Sequence, residues 1–190
     1  MSEECVGHAV KVCPFFIDKT NEVVKMTITP SELNDICSNI VASAETYNNE
    51  THAYFYTAFR TGARANEITE LTERIVYIDA TNVVYTTEKT NGERAVLKTD
   101  VAELFRRRYE QNIQALLLNT YLSLNYYVKR LGYKNITVNG TKRETIHLFR
   151  HNYAKQLYLH GDKPAEVGDK MKITTATANI YINSVIEQPD

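Results

Sequence analysis

The sequence predicts an α+β domain that is mostly helical and carries a small three-stranded antiparallel sheet. Three observations carry that reading. Helical hydrophobic periodicity recurs along most of the chain, as in Leu33, Ile36, Cys37, Ile40 and Val41. It gives way between Ile75 and Leu97, where β-branched and aromatic residues flank an Asn91-Gly92 turn. A length of 190 residues with 43% apolar and 24% charged residues fits a single domain that can bury a core without staples.

Residues 1–28 read as an N-terminal arm with one or two short strands, at 10–16 and 23–29. Thr29-Pro30-Ser31-Glu32 then starts a helix, because threonine caps, proline suits the first position and glutamate three on closes a capping box. A second helix is expected from about residue 50 to 59, stopped near Gly62, and a third from about Ala65. Strands follow at 75–78 and 82–87; Asn91-Gly92 supplies two positive φ angles, and 94–97 returns. Helices are expected at 100–118 and 120–131, the latter ended by Gly132. Asn139-Gly140 predicts a small hairpin within 136–142. Thr145 can cap a helix running to about His160, followed by helices at 164–170 and 174–185.

Composition excludes several classes. No run of about 18 apolar residues exists, so no membrane partner is expected. Met1-Ser2-Glu3-Glu4-Cys5 is acidic and lacks the apolar core of a secretory signal, so the expected compartment is cytoplasmic. Cys5, Cys13 and Cys37 are odd in number and lack a Cys-x-x-Cys pair, which argues against a disulfide framework and a structural zinc. Cys37, on the apolar side of its helix, reads as core filling.

The net charge of −1 hides an asymmetry. Residues 1–50 hold eight acids against three Lys or Arg, whereas 129–155 hold Lys129, Arg130, Lys134, Lys142, Arg143, Arg150 and Lys155 against Glu144 alone. Phosphate binding depends on such local clustering rather than on the total. Arg106-Arg107-Arg108 adds to it, although such a run also suits a solvated helix face.

Three constellations can carry chemistry. In Thr61-Gly62-Ala63-Arg64, with Glu67 following, a glycine turns the chain between helices and the next turn presents an arginine. A helix end followed by a surface arginine would account for it equally. In His147-Leu148-Phe149-Arg150-His151, positions i and i+3 share a face, so His147 and Arg150 point one way with His151 adjacent, while Ile146, Phe149, Tyr153 and Leu157 face the core. A guanidinium beside an imidazole grips a phosphodiester well, although a solvated basic face is the plainer reading. Tyr181, one of 13 tyrosines, says little alone, as do Lys89 before the Asn91-Gly92 turn and Lys172, nine residues before Tyr181.

Taken together, the order Arg64, Lys89, His147-x-x-Arg150, Tyr181 resembles the tyrosine recombinase (phage integrase) family. Thr61-Gly62-Ala63-Arg64-Ala65-Asn66-Glu67 is similar to its first box, Lys89 falls in its hairpin, and His147-Leu148-Phe149-Arg150-His151 is similar to its second box. Tyr181 lies 31 residues past Arg150, within the family's spacing for the nucleophile. One departure is Lys172, where the family carries His or Trp.

The resemblance implies a tyrosine recombinase catalytic-domain fold over residues 29–190 with a short C-terminal tail. It implies cleavage and rejoining of double-stranded DNA through a 3′-phosphotyrosyl link, with neither metal nor other cofactor. Arg64, Arg150 and Lys172 would hold the phosphate, Lys89 would protonate the leaving oxygen, His147 would take the tyrosine proton and Tyr181 would attack. Glu67 would orient the first arginine's helix, and His151 would support the site. The expected assembly is a homo-tetramer on paired sites and a monomer or dimer when free, on nucleoid or host-cell DNA, in a virus or mobile element. A type IB topoisomerase and a non-catalytic DNA-binding protein of the same fold are the alternatives.

Overall fold

The computed structural model describes residues 25–89, 92–113, 121–133, 136–142 and 145–189. The expected strand at 10–16 and the Asn91 turn residue lie outside them. Among the described residues the chain forms β1 (Lys25–Thr27), α1 (Pro30–Glu45), α2 (Asn49–Thr61), α3 (Ala65–Thr69), α4 (Leu71–Arg74), β2 (Ile75–Ile78), β3 (Asn82–Thr86), β4 (Glu93–Leu97), α5 (Glu103–Glu110), α6 (Tyr121–Arg130), β5 (Thr137–Val138), β6 (Thr141–Lys142), α7 (Leu148–Leu159), α8 (Pro164–Met171), α9 (Thr175–Ile182) and β7 (Ile186–Pro189). None of the described helices is long and apolar enough to cross a membrane. The architecture is the mostly helical one expected, with small antiparallel sheets.

Helix α1 starts as the sequence predicts: Thr29 Oγ1 accepts from the Glu32 N–H at 3.3 Å, and Glu32 accepts from the Thr29 N–H at 2.7 Å. It buries Leu33, Cys37, Ile40 and Ala44 against α2 and α7, where Phe55 and Phe149 stack with centroids 5.4 Å apart. Burial pushes the Cys37 thiol pKa far above its ordinary value, so this sulfur is inert core.

The three-stranded sheet runs β2-β3-β4, antiparallel throughout. A second sheet, ordered β1-β7-β5-β6, was not expected. Its centre is β7, which pairs with β1 through Lys25↔Pro189 and with β5 through Thr137↔Glu187. The Asn139-Gly140 hairpin forms as predicted, with φ of 51° and 71° at its two turn residues.

Three boundaries differ from the sequence expectation. The helix expected at 100–118 follows a 3₁₀ turn, Lys98–Asp100, and its first α-helical part ends at Glu110, with Asn112 at φ 52°; residues 114–118 of that expectation lie outside the described residues. The helix expected from Thr145 likewise begins with a 3₁₀ turn, Thr145–His147. The last helix stops at Ile182 rather than Val185, because Ser184 Oγ turns back to donate to Tyr181 O at 2.8 Å. A small apolar cluster of Ala154, Val167, Met171, Ala178 and Ile182 packs α8 and α9 under α7. It sets where the last helix presents Tyr181.

Candidate active site

Helix α2 ends in the left-handed turn of Gly62, φ 59°, and this position admits only glycine. A Cβ there would sit 2.5 Å from the Tyr153 ring. Two residues on, Arg64 caps α3, and Glu67 occupies the third helical position. Its carboxylate accepts from the Arg64 N–H at 2.8 Å and pairs with Arg64 Nη1 at 2.7 Å. Glu67 is 1% exposed, and Oε1 also accepts from the Glu88 N–H at 3.2 Å. Burial alone would raise its pKa; the bonds from Arg64 and Glu88 outweigh that and hold it below the ordinary carboxylate value. One buried carboxylate therefore ties the first arginine to the strand end that carries Lys89.

That strand end is the turn end of the β3–β4 hairpin, closed by Thr87 N–H donating to Gly92 O at 2.8 Å. Glu88 accepts from Asn66 Nδ2 at 3.2 Å, and Lys89 follows with an exposed side chain.

Helix α7 delivers the second arginine. Arg150 is 3% exposed, donating from Nη1 to Gly62 O at 2.6 Å and from Nη2 to Met171 O at 3.4 Å. Its Nε is buried with no hydrogen-bond partner among the described residues. Burial pulls its pKa below the usual guanidinium value; Tyr181 opposes this, and the neighbouring Arg64 and Arg94 charges add to it. His147, in the turn ahead of α7, keeps an exposed side chain.

Tyr181 rides on α9, whose first turn is capped by Thr174 accepting from the Thr177 N–H at 3.2 Å. The Tyr181 ring centroid lies 5.4 Å from Arg150 Cζ. Behind it, His151 Nδ1 is 2.8 Å from Ser184 Oγ, and Lys155 Nζ donates to Ile182 O at 2.7 Å and Ser184 O at 2.8 Å.

Arg64, Lys89, His147, Arg150 and Tyr181 line one cleft of about 450 Å³, together with Ala65, Asn66 and Glu88. Lys172 is not among its lining residues: it ends α8 in a left-handed conformation, φ 52°, with an exposed side chain. Two cations of the 129–155 cluster, Arg150 and Lys155, are buried rather than displayed. The Arg106-Arg107-Arg108 run is engaged within the fold: Arg108 pairs with Glu50, Arg107 with Glu103, and Arg106 Nε donates to Val101 O at 3.1 Å. Among the described residues no group of three His, Cys, Asp or Glu side chains is placed to hold a metal ion.

Sequence reasoning passed over Arg94, which is 1% exposed and lies close enough to Arg150 for their charges to interact. The signal was strand alternation. Arg94 and Val96 share the face of β4 opposite Glu93, Ala95 and Leu97, so an inward arginine was readable.

No protein-family model matches the chain, and no curated protein matches it. Two solved structures have a similar fold. One is described as the XerH site-specific recombinase bound to palindromic difH substrate in a post-cleavage complex, at TM-score 0.56 and 15% identity over 78% of this chain and 48% of that one. The other is the XerA recombinase, at TM-score 0.53 and 15% identity over 78% of this chain and 58% of that one. The chain thus matches about half the length of each. The fold is similar to that of tyrosine recombinase catalytic domains.

Proposed function

We propose that the cleft binds a phosphodiester of double-stranded DNA and that the chain is a tyrosine recombinase-like strand transferase. The observation that carries this reading is that Arg64, Lys89, His147, Arg150 and Tyr181 line one cleft from four separate segments. The description of XerH as a recombinase in a post-cleavage complex supports it.

In this reading Tyr181 Oη attacks the phosphorus, forming a 3′-phosphotyrosyl bond, and the bond to the 5′-oxygen breaks. His147 takes the tyrosine proton, and Lys89 gives one to the departing 5′-oxygen. The two arginines stabilise the charge that builds on the non-bridging oxygens. Arg150 is preorganised by Gly62 O and Met171 O, and Arg64 by Glu67. A 5′-hydroxyl reverses the step, conserving the bond energy. DNA affinity comes mainly from Lys and Arg on phosphates and falls with salt. A homo-tetramer on paired sites is the assembly this chemistry needs for recombination.

The position of Lys172 outside the cleft favours one second reading, a DNA-binding protein whose site has lost its chemistry. Incubating the wild-type chain and Tyr181→Phe with nicked duplex oligonucleotides in EDTA, then running denaturing gels, separates the two. The strand transferase gives a covalent protein–DNA band in the wild type only. Binding without a band in either protein selects the second reading.

A further inference from the structure

The strand-transfer reading uses two arginines of the cleft and leaves a third cation unexplained. Arg94 is buried beside Arg150, and each of its three guanidinium nitrogens donates to a different element: α8, α2 and the paired strand β3. Nε donates to Lys170 O at 2.8 Å, Nη1 to Tyr85 Oη at 3.1 Å, and Nη2 to Thr61 O. Its Cζ also lies 5.9 Å from the centroid of the Tyr153 ring, the ring that Gly62 packs against.

Arg150 grips the neighbouring carbonyls of the same two segments, Gly62 O and Met171 O. The two arginines thus form parallel rungs between residues 61–62, which lead to Arg64, and residues 170–171, which lead through the turn into the Tyr181 helix. Arg94 adds a third attachment, since its own strand is paired to β3 and so to the hairpin end bearing Lys89. Both guanidiniums are held by carbonyl and hydroxyl oxygens, with no carboxylate ion-paired to either among the described residues. Their charge therefore remains available to an anion above them.

We propose that Arg94 is a positioning residue of the cleft: it sets the register of the Arg64 turn, the Lys89 hairpin and the turn before the Tyr181 helix, without touching the phosphate. The proposal rests on the strand-transfer reading for its rate effect, but it makes a structural claim of its own. A planar fork with several donors can span Lys170 O, Tyr85 Oη and Thr61 O together, whereas a lysine ammonium keeps the charge and cannot reach all three.

The test compares Arg94→Lys and Arg94→Met with the wild-type chain, using covalent adduct formation on a nicked duplex oligonucleotide, duplex binding and amide hydrogen exchange. Arg94→Lys is expected to bind the duplex within about threefold of wild type but to form adduct at least about tenfold more slowly at saturating DNA, since small misplacements of reacting groups carry penalties of that order. Exchange is expected to rise in residues 61–64 and 170–175 together, with α1 unchanged. Wild-type adduct rates in Arg94→Lys, or a rate loss matching the unfolded fraction, would overturn the proposal.

If the wild-type chain itself forms no adduct, the strand-transfer reading has failed, and exchange alone decides Arg94. A joint rise in the two segments upholds its positioning role; a rise in neither removes it. Should both variants fail to fold, Tyr85→Phe removes one of the three acceptors at nearly constant volume. A slower covalent step with unchanged binding then supports the assignment, and an unchanged step overturns it.

Discussion

The imidazole of His151 stands edge-on against the phenol ring of Tyr181, with centroids 4.7 Å apart and planes at 79°. The same imidazole reaches Ser184 Oγ, which donates to the Tyr181 carbonyl, so His151 braces the tyrosine at its ring and at its backbone. Because the Ser184 hydroxyl proton goes to Tyr181 O, the Nδ1 atom of His151 is the donor in its bond to Ser184. His151→Phe keeps an aromatic edge and deletes that donor. It is expected to cost about 1 kcal/mol of stability and to slow adduct formation about five- to tenfold. Urea unfolding and gel-based adduct rates measure the two effects, and a wild-type rate would show that the brace is dispensable.

Gly62→Ala is expected to be among the most damaging small changes in the chain. It combines the left-handed backbone penalty of about 1–2 kcal/mol with overpacking of about 1–3 kcal/mol against the Tyr153 ring. Gly161→Ala supplies the control, because Gly161 also has a positive φ, 104°, but nothing lies within 4 Å of its Cβ position. Denaturant midpoints should fall well below the control for Gly62→Ala alone. Equal losses would mean that the ring contact yields without cost.

The carboxylate of Glu67 should make the site acid-labile. Its pKa is lower in the folded protein than in the unfolded chain, where glutamate ionises at about 4.3. The stabilisation is therefore present above that unfolded value and is lost as pH falls through the lower folded value. Between about pH 6 and 3 the wild type should lose more stability than Glu67→Gln, while at pH 6 the variant is the weaker protein. Urea titrations across that window check both halves. Parallel curves would mean that the carboxylate does not couple to folding.

Lys155→Met should loosen the end of the tyrosine helix. The ammonium satisfies Ile182 O and Ser184 O, and removing it leaves two carbonyls without that donor, at a cost of about 2 kcal/mol. Amide exchange of residues 182–187 is expected to accelerate more than exchange in α1. Uniform acceleration would assign Lys155 to global stability instead.

Features written in contiguous residues were legible before the fold was known. The Thr29–Glu32 capping box, the Asn139-Gly140 turn and the Gly62 helix end each need only a few neighbours, and each forms as expected. The five residues that line the cleft were legible as a set only through their order along the chain and its family resemblance, since Lys89 and Tyr181 say little alone. What escaped depends on distant partners. Strand β7 is four residues long and gains its conformation from β1 and β5. Arg94 is a site residue only because Thr61 and Lys170 converge on it. The family resemblance implied a phosphate contact for Lys172, but the chain reverses there through a left-handed residue, and Lys172 does not line the cleft.

The pairing of Lys25 with Pro189 has a mechanical meaning. The two residues form the first rung at one end of an antiparallel ladder, so tension applied between them loads β1–β7 one rung after another instead of shearing all rungs at once. Peeling of that kind needs little force. The first element to come away is β1, because the strand directly following the tyrosine helix is still held by β5 on its other side, so the tyrosine helix is shielded until that second ladder yields.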